Sequence, residues 1–292
     1  MSKSNLHFII NPISGTGKQH KVLQKIKRQI DAKRFDTHIH YTEKEKHATE
    51  IAKRLCKEKN NIIIAVGGDG TVNEIASTMV HSNNILGIIP TGSGNGLARH
   101  LKIPQNVDQS IALINKMHIE KIDSCHLNDH FFINIAGMGF DGFVSHEFAK
   151  AKKRGMKTYI KLILSKWWSY QMKKYEIEIE GKCIFQGVAA MVCCANGSQY
   201  GNNVLISPNS KLNDGWMELC ILKPFRFYEV PKILLDLVCH RIHKNKKMKI
   251  IKCKSANIKC MNAKKHLDGE AKILEDNIEL KIYPKSINVL CN

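Results

Sequence analysis

The sequence predicts an α/β plus β fold, with a parallel-sheet α/β domain followed by an antiparallel β-sandwich domain. In the first third of the chain, short apolar runs alternate with segments of helical periodicity, which is typical of parallel strands joined by helices. Farther along, the runs alternate apolar and polar residues with few helical patterns between them, which is typical of antiparallel sheets. We place the boundary so that the domains are residues 1–124 and 125–292.

The first domain is predicted to contain four strands and three helices. Each helix carries apolar residues at intervals of three and four, which marks one buried face. The predicted strands are 6–10, 37–42, 61–66 and 85–90, and the predicted helices are 21–30, 48–58 and 71–80. Because ligands of parallel sheets bind at the carboxyl ends of the strands, the loops that follow these strands are the first place to look for a site.

The second domain is predicted to be mostly strands, with two helical inserts. The strand-like segments are 130–140, 175–194, 215–222, 248–261 and 277–284, and the inserts are 156–172 and 227–243. The pattern leaves open whether the last residues of the chain return to the first domain.

The net charge and the cysteine pattern limit which partners and which cellular compartment we expect for the protein. The net charge of +19 favours nucleic acid, anionic lipid surfaces or phosphorylated small molecules, although a lysine-rich proteome would also explain it. No nucleic-acid motif is present, so we expect no nucleic-acid partner. Ten cysteines without a C-x-x-C pair predict reduced thiols in a cytoplasmic protein and no zinc site. No window is apolar enough over the length of a transmembrane helix, so membrane contact would be peripheral.

Three predicted strands run into loops rich in glycine, "NPISGTGK" (11–18), "GGDGT" (67–71) and "PTGSGNG" (90–96). Glycine lets backbone approach a ligand closely, and a loop that opens a helix directs free N–H groups at an anion. Each loop alone could be an ordinary tight turn, and the first departs from the Walker A pattern because Gln19 follows Lys18. Together, at one sheet edge, they predict a polyphosphate site.

Two acidic motifs are candidates for chemistry. A carboxylate beside a phosphate, as predicted for Asp69, is tolerated if Mg²⁺ lies between them or if it faces a hydroxyl. The alternative is that Asp69 caps a helix starting at Thr71. In "HLDGE" (266–270), Asp268 could accept a proton from a hydroxyl nucleophile and Glu270 could help to hold Mg²⁺. The alternative is an ordinary hairpin turn.

The motifs "NPISG", "GGDGTVNEI", "PTGSGNGLAR" and "HLDGE", in this order, resemble the diacylglycerol kinase / sphingosine kinase family, particularly its soluble bacterial members. The resemblance covers nearly the whole chain, whereas "GGDGT" alone is shared with NAD kinases. It implies a catalytic domain of the NAD kinase/diacylglycerol kinase type and a lipid-substrate sandwich. The implied activity is transfer of the γ-phosphate of ATP, with Mg²⁺, to a lipid hydroxyl of diacylglycerol or a sphingoid base. A NAD kinase-like enzyme and a non-catalytic nucleotide- or lipid-binding relative are the alternatives.

The resemblance also assigns residues. It implies a catalytic role for Asp268, Glu270 and Asp69, with Asp268 as the leading base. It implies a second, structural Mg²⁺ near Asp214, Lys211 and Trp216. The implied ATP contacts are Asn11, Pro12, Ser14, Gly15, Thr42, Gly67, Gly68, Gly70, Thr71, Asn73, Glu74, Gly92, Ser93 and Asn95. The loop "GSGNGLA" is closer to the sphingosine kinase form than to the "G-T-x-N-D-F-A" form of many bacterial diacylglycerol kinases, which leaves the acceptor lipid open.

Two basic, aromatic-rich stretches suggest a membrane surface. Residues 155–175 mix lysines with tryptophans and tyrosines, and residues 239–249 form a concentrated basic run. Such compositions suit the interface of an anionic membrane. The alternative is an amphipathic helix that packs on the sandwich with solvated lysines. A homodimer is also left open.

Overall fold

The computed structural model describes residues 3–14, 19–151 and 155–292. The chain divides into two compact units. The first unit consists of Met1–Ile122 together with Lys285–Asn292, and the second of Asp123–Pro284. The division therefore falls within two strands, β5 (Ile119–Leu127) and β16 (Asn277–Leu290).

The first unit is built on a parallel sheet, as the sequence predicted. Its strands are β1 (Ser4–Ile10), β2 (Phe35–Tyr41), β3 (Ile62–Gly67) and β4 (Ile85–Pro90), and they lie in the order β2-β1-β3-β4. Near the end of β16, Asn288 and Val289 pair in parallel with Ile85 and Leu86 of β4. The helices are α1 (Gln19–Gln29), α2 (His47–Leu55), α3 (Asp69–Ala76), α4 (Gly96–His100) and α5 (Val107–Lys116).

Every residue of β3 is buried, which is why "IIIAV" is a continuous apolar run rather than an alternating one. On one face, Ile64 and Val66 of β3 pack with Ile26 of α1 and Ile111 of α5. Fully burying each such side chain contributes roughly 1.5–3 kcal/mol. These helices and strands therefore hold the strand ends, and the loops that leave them, in fixed positions.

Helix α3 begins at Asp69 and ends at Ala76, whereas the sequence predicted residues 71–80. Gly68, with extended backbone, occupies the N-cap position. At the other end, the hydroxyl groups of Ser77 and Thr78 donate to the carbonyl oxygens of Glu74 and Ile75. Such local bonds compete with helical ones, which explains the early end.

The second unit contains two antiparallel sheets. Its remaining strands are β6 (His130–Phe132), β7 (Ile135–Gly139), β8 (Lys173–Ile179), β9 (Lys182–Ala189), β10 (Met191–Ala195), β11 (Met217–Leu222), β12 (Met248–Cys253), β13 (Ser255–Lys259), β14 (Lys265–Leu267) and β15 (Glu270–Lys272). One sheet has the order β12-β11-β10-β7-β14-β15. In the other, β13 lies between β8 and the first part of β16, and β9 pairs with β8. The prediction of an antiparallel sheet domain is confirmed.

Three helices cover the outer face of the first of these sheets. They are α6 (Phe140–Lys150), α7 (Met156–Lys166) and α8 (Val230–Val238). Adjacent cysteines show the two faces of β10, because Cys194 packs in the core between the sheets and Cys193 packs with the helices. The sequence predicted helical inserts over α7 and α8 but did not predict α6, which follows β7 directly after Gly139 (φ 92°).

Candidate functional site

The three glycine loops of the first unit meet at the carboxyl ends of β1, β3 and β4. These strands are neighbours in the sheet, so their ends lie side by side. The backbone N–H of Asn11 donates to the carbonyl oxygen of Val66 at 3.1 Å, and that of Thr91 donates to Gly67 at 2.9 Å. The sequence prediction that these loops share one edge is thereby realised in the geometry.

Two of the loops approach so closely that glycine is required. A Cβ atom added to Gly92 would lie 2.5 Å from the Cα of Gly68 and 2.7 Å from Oδ1 of Asn95. One added to Gly67 would collide with the side chain of Thr71. Because the obstacles at Gly92 include backbone, a side chain there would separate the loops.

Side chains also join the loops. Nδ2 of Asn11 donates to Oγ1 of Thr71 at 3.2 Å, and the hydroxyl groups of Ser14 and Thr91 are 2.9 Å apart. Pro12 is exposed between them, and Gly15 lies outside the described residues. All three loops are thus tied into one assembly, with Asn11 and Ser14 linking the first loop to the other two.

Asn95 ends the third loop and carries a buried acceptor. It adopts a left-handed conformation (φ 54°) before α4. Its amide nitrogen donates to the carbonyl oxygen of Gly92 at 2.9 Å and to Gln105 at 3.0 Å. Its amide oxygen is buried and accepts no hydrogen bond from the described part of the protein. The oxygen faces Gly92, because a Cβ atom added there would lie 2.7 Å from it.

Asp69 is the first residue of α3 and is partly exposed. Because Gly68 holds the N-cap position, Asp69 is not the cap of a helix starting at Thr71, and that alternative was wrong. A carboxylate in the first turn is favoured by the helix dipole. Its place directly after the β3 loop puts it beside the backbone groups of Gly68 and Gly70.

The other residues of the first unit that were predicted to contact ATP lie in different local environments. Thr42 is buried at the end of β2, and its N–H donates to Ile10 at 3.0 Å. The carboxylate of Glu74 accepts the N–H of Thr49 at 3.3 Å and so bonds the first turn of α2. Asn73 is partly exposed on α3, and Ser93 is exposed in the third loop. Glu74 therefore has a structural bond of its own.

In the second unit, Asp268 and Gly269 form the tight turn between β14 and β15. Both have positive φ, 48° and 86°, and the flanking residues Leu267 and Glu270 pair with each other. The carboxylate of Asp268 accepts three backbone N–H groups, from Ile133 at 3.0 Å and from Asn134 and Ile135 at 2.9 Å each. Such bonds favour the ionised form and fix its position.

Glu270 differs from Asp268 in exposure. Its side chain is 44% exposed and forms an ion pair with Lys272 at 3.1 Å. The two carboxylates of "LDGE" are therefore unlike, because one is held by backbone and the other faces solvent. The hairpin interpretation and the catalytic interpretation of the motif are compatible, since the turn presents both groups.

A buried polar network beneath this turn was missed by sequence reasoning. Oδ2 of Asp141 accepts hydrogen bonds from Nε2 of His266 at 2.7 Å and from the hydroxyl of Tyr200 at 2.8 Å. The thiol of Cys193 adds a third at 3.2 Å. Burial acts to raise the pKa of Asp141, but His266 and the hydroxyl and thiol donors outweigh it, so that the pKa lies below its usual value.

The network reaches the turn through His266. The backbone N–H of Gly269 donates to Nδ1 of His266 at 3.2 Å, so Nδ1 carries no proton and the Nε2 proton faces Asp141. Gly137 of β7 makes room, because a Cβ there would collide with the side chains of both Asp141 and His266. The signal in the sequence was the histidine directly before "LDGE", but nothing in the sequence paired it with Asp141.

The predicted second metal site lies in the loop before β11. The carboxylate of Asp214 accepts the N–H of Trp216 at 3.0 Å and pairs with Nζ of Lys252 at 3.2 Å. Lys211 and Trp216 are exposed, and Gly215 donates to the buried carboxylate of Asp123 at 2.8 Å. The single acidic side chain of the predicted trio is thus already paired with an ammonium group.

Comparison with known proteins assigns the family. The family model of the diacylglycerol kinase catalytic domain matches residues 5–127 of the sequence. The family model of the YegS C-terminal NAD kinase beta sandwich-like domain matches residues 134–291. The chain belongs to the diacylglycerol kinase family. The kinase is 31% identical over 268 residues to a diacylglycerol kinase of Staphylococcus haemolyticus, covering 90% of this chain and 81% of the relative. It is 28% identical over 272 residues to one of Staphylococcus saprophyticus, covering 92% and 89%.

Solved structures give the same result. A protein of Bacillus anthracis str. Sterne described as a diacylglycerol kinase superposes with a TM-score of 0.83 at 25% identity, covering 100% of this chain and 98% of that one. An NAD kinase of Archaeoglobus fulgidus, solved with ATP, gives a TM-score of 0.54 at 13% identity, covering 98% and 94%, which shows a shared fold alone. The predictions of a lipid kinase and of its fold class are confirmed, and the family implies ATP as co-substrate.

Proposed function

We propose that this lipid kinase transfers the γ-phosphate of ATP to the hydroxyl group of diacylglycerol. The observation that carries the proposal is the convergence of three glycine loops at one sheet edge, with backbone groups free of side chains at Gly67, Gly68 and Gly92. Such an edge suits a polyphosphate.

In the proposed reaction, the lipid oxygen attacks the γ-phosphorus and the bond from that phosphorus to the bridging oxygen breaks. ADP leaves with the electron pair, and the hydroxyl proton passes to a carboxylate. Asp268 is the proposed acceptor, because three N–H groups fix its position. They also stabilise its charge, so its proton transfer has to be late in the displacement.

Mg²⁺ is proposed at the phosphates, where Asp69 fits it. The carboxylate is partly exposed in the first turn of α3, beside a loop suited to anions, and a hard cation between them would remove the repulsion. The Asp214 loop fits a second Mg²⁺ less well. Its carboxylate faces Lys252, and the ammonium would have to leave before a cation could bind. A second Mg²⁺ there stays a prediction.

Diacylglycerol is the proposed acceptor because the curated relatives are named for it. A sphingoid base is the second candidate, favoured by the loop "GSGNGLA". The two share a primary hydroxyl near an apolar chain, so the loops for ATP do not discriminate between them.

Peripheral membrane contact is part of the proposal. No described helix is long and apolar enough to cross a bilayer. Trp168 is 73% exposed and Tyr228 is 70% exposed, and the ring of Trp168 packs on Phe227 with centroids 4.4 Å apart. Further exposed apolar side chains lie on the adjoining helices, namely Ile160, Leu164, Leu235 and Val238. We call these six exposed residues, Trp168 and Tyr228 included, the apolar rim. Lysines of α7 lie next to it, which suits anionic lipid.

The test compares the wild-type protein with Asp268→Asn, using labelled ATP and mixed vesicles containing diacylglycerol, a sphingoid base or neither, with NAD as a soluble acceptor. We expect phosphorylated diacylglycerol from the wild type and a turnover at least about 100-fold lower in the variant. Thermal unfolding checks that the variant is folded, since the amide that replaces the carboxylate would present an NH₂ group to backbone donors. Wild-type turnover in a folded variant would contradict the role of Asp268, and labelled NAD alone would contradict the lipid acceptor.

A further inference from the structure

Three side chains with metal-ligand chemistry meet in the first unit, away from the glycine loops. They are His118, Glu120 and Cys291. One ligand atom of each, an imidazole nitrogen, a carboxylate oxygen and the thiol sulfur, lies within 4.8 Å of the others. Elsewhere in the residues that the structure describes, no other three histidine, cysteine, aspartate or glutamate side chains cluster in this way.

The fold explains why these residues meet. His118 directly precedes β5 and Glu120 lies two residues later, so both side chains fall on the same face of the strand. Cys291 follows β16, and its N–H donates to the carbonyl oxygen of His118 at 3.2 Å. This backbone bond holds Cys291 beside the start of β5, next to the histidine and the carboxylate.

We propose that His118, Glu120 and Cys291 form a binding site for zinc or a similar divalent transition metal. Zinc takes nitrogen, sulfur and oxygen ligands together, with bond lengths of roughly 2.0–2.3 Å, so its tetrahedral ligands lie roughly 3–4 Å apart. The ligand atoms of this cluster lie within 4.8 Å of one another, so shifts of about 1 Å would reach that spacing. Three protein ligands leave the fourth position to water.

Access and chemistry also agree with a metal. His118 is exposed, Glu120 is partly exposed and Cys291 is buried, so an ion entering from solvent would reach the sulfur last. Binding exchanges the thiol proton, which is released to water, for a metal–sulfur bond. The alternative account of the cluster is that the three side chains lie side by side at the end of the sheet and bind no metal.

The test is titration of the full chain, first treated with a chelator and a reductant, with Co²⁺. We expect one equivalent to give the near-ultraviolet absorption of a cobalt–thiolate bond, and Zn²⁺ to abolish it. Cys291→Ser should remove this band. Cys239→Ser, at an exposed thiol, is the matched control and should retain it. His118→Asn and Glu120→Gln should weaken Co²⁺ binding by about 10-fold or more.

Thermal unfolding without metal shows whether each variant is folded. A wild-type protein that gives no thiolate band with excess Co²⁺ would overturn the site, as would a band that survives in folded Cys291→Ser. None of these readouts uses kinase activity, so they are independent of the proposed acceptor and base.

Discussion

At the scale of single residues, Asp141 is the group on which the "LDGE" turn depends indirectly. Its carboxylate accepts from His266, Tyr200 and Cys193 in a site closed to solvent. We expect Asp141→Asn to lower the free energy of unfolding by about 1–3 kcal/mol, because the neutral amide loses the charge that strengthens these buried hydrogen bonds and adds an NH₂ group to the site. Urea unfolding measures this, and Asp129→Asn, at an exposed position, should change it by less than about 0.5 kcal/mol. Equal stabilities of the two variants would contradict the network.

The sequence was enough to predict the motif "HLDGE" but not the buried hydrogen bonds that hold it in place. "HLDGE" could be recognised because its spacing is local. The contact between His266 and Asp141 could not be predicted, because it depends on β7 and β14 being neighbours and on Gly137 leaving space between them. The cluster of His118, Glu120 and Cys291 has the same cause, and the expectation of no zinc site rested on local spacing alone.

At the scale of elements, the meeting of the β3 and β4 loops gives a graded prediction. Gly92→Ala would place Cβ 2.5 Å from backbone of Gly68, whereas Gly68→Ala would place it 3.3 Å from Gly92. We expect Gly92→Ala to cost about 1–3 kcal/mol of unfolding free energy and to weaken ATP binding, and Gly68→Ala to cost less. Chemical unfolding and calorimetry measure both. If Gly68→Ala lost more unfolding free energy than Gly92→Ala, the close approach of the two loops would not be the reason that these positions require glycine.

The apolar rim gives a second prediction at this scale. Since burial of a large apolar side chain contributes roughly 1.5–3 kcal/mol, Trp168→Ala should weaken binding to phosphatidylglycerol vesicles by about 10-fold or more. Met261→Ala, an exposed apolar residue outside the rim, is the matched control and should bind as the wild type does. Unchanged vesicle binding by Trp168→Ala would contradict a membrane role for the apolar rim. Sedimentation that shows a dimer in the wild type and a monomer in Trp168→Ala would also contradict it, because a second copy would then cover the rim.

A helix or strand could be predicted from the sequence where its packing gives the apolar residues one regular spacing. The four parallel strands were found because both faces of a parallel sheet are buried and the runs are apolar throughout. Helix α6 was missed, because it begins in the run "GMGF" that continues the apolar pattern of β7. The residues of α6 that face the sheet, such as Val144, are apolar because they pack on the sheet, and their spacing does not show a regular helical period.

At the scale of the whole molecule, burial of histidines couples folding to pH. His7 is 7% exposed on β1, and its Nδ1 lies 3.2 Å from Nε2 of His40. Burial first, and then the neighbouring His38 and His40, lower its pKa from 6.5 to about 4. Burial and Lys102 lower the pKa of His100 to about 4 as well. The folded protein therefore holds these imidazoles neutral in a range where the unfolded chain protonates them.

The sign of the effect follows from proton binding. Between pH 6.5 and about 4 the unfolded state binds more protons, so the free energy of unfolding should fall as the pH falls through this window. The shift at His7 alone corresponds to about 3 kcal/mol. His7→Leu should flatten the pH dependence by up to that amount, and His130→Leu, at an exposed position, should not. Urea unfolding from pH 4 to pH 8 measures the slopes. Because the protein already carries a charge of +19, further protonation also increases its self-repulsion, so a stability that stayed constant to pH 4 would contradict both effects.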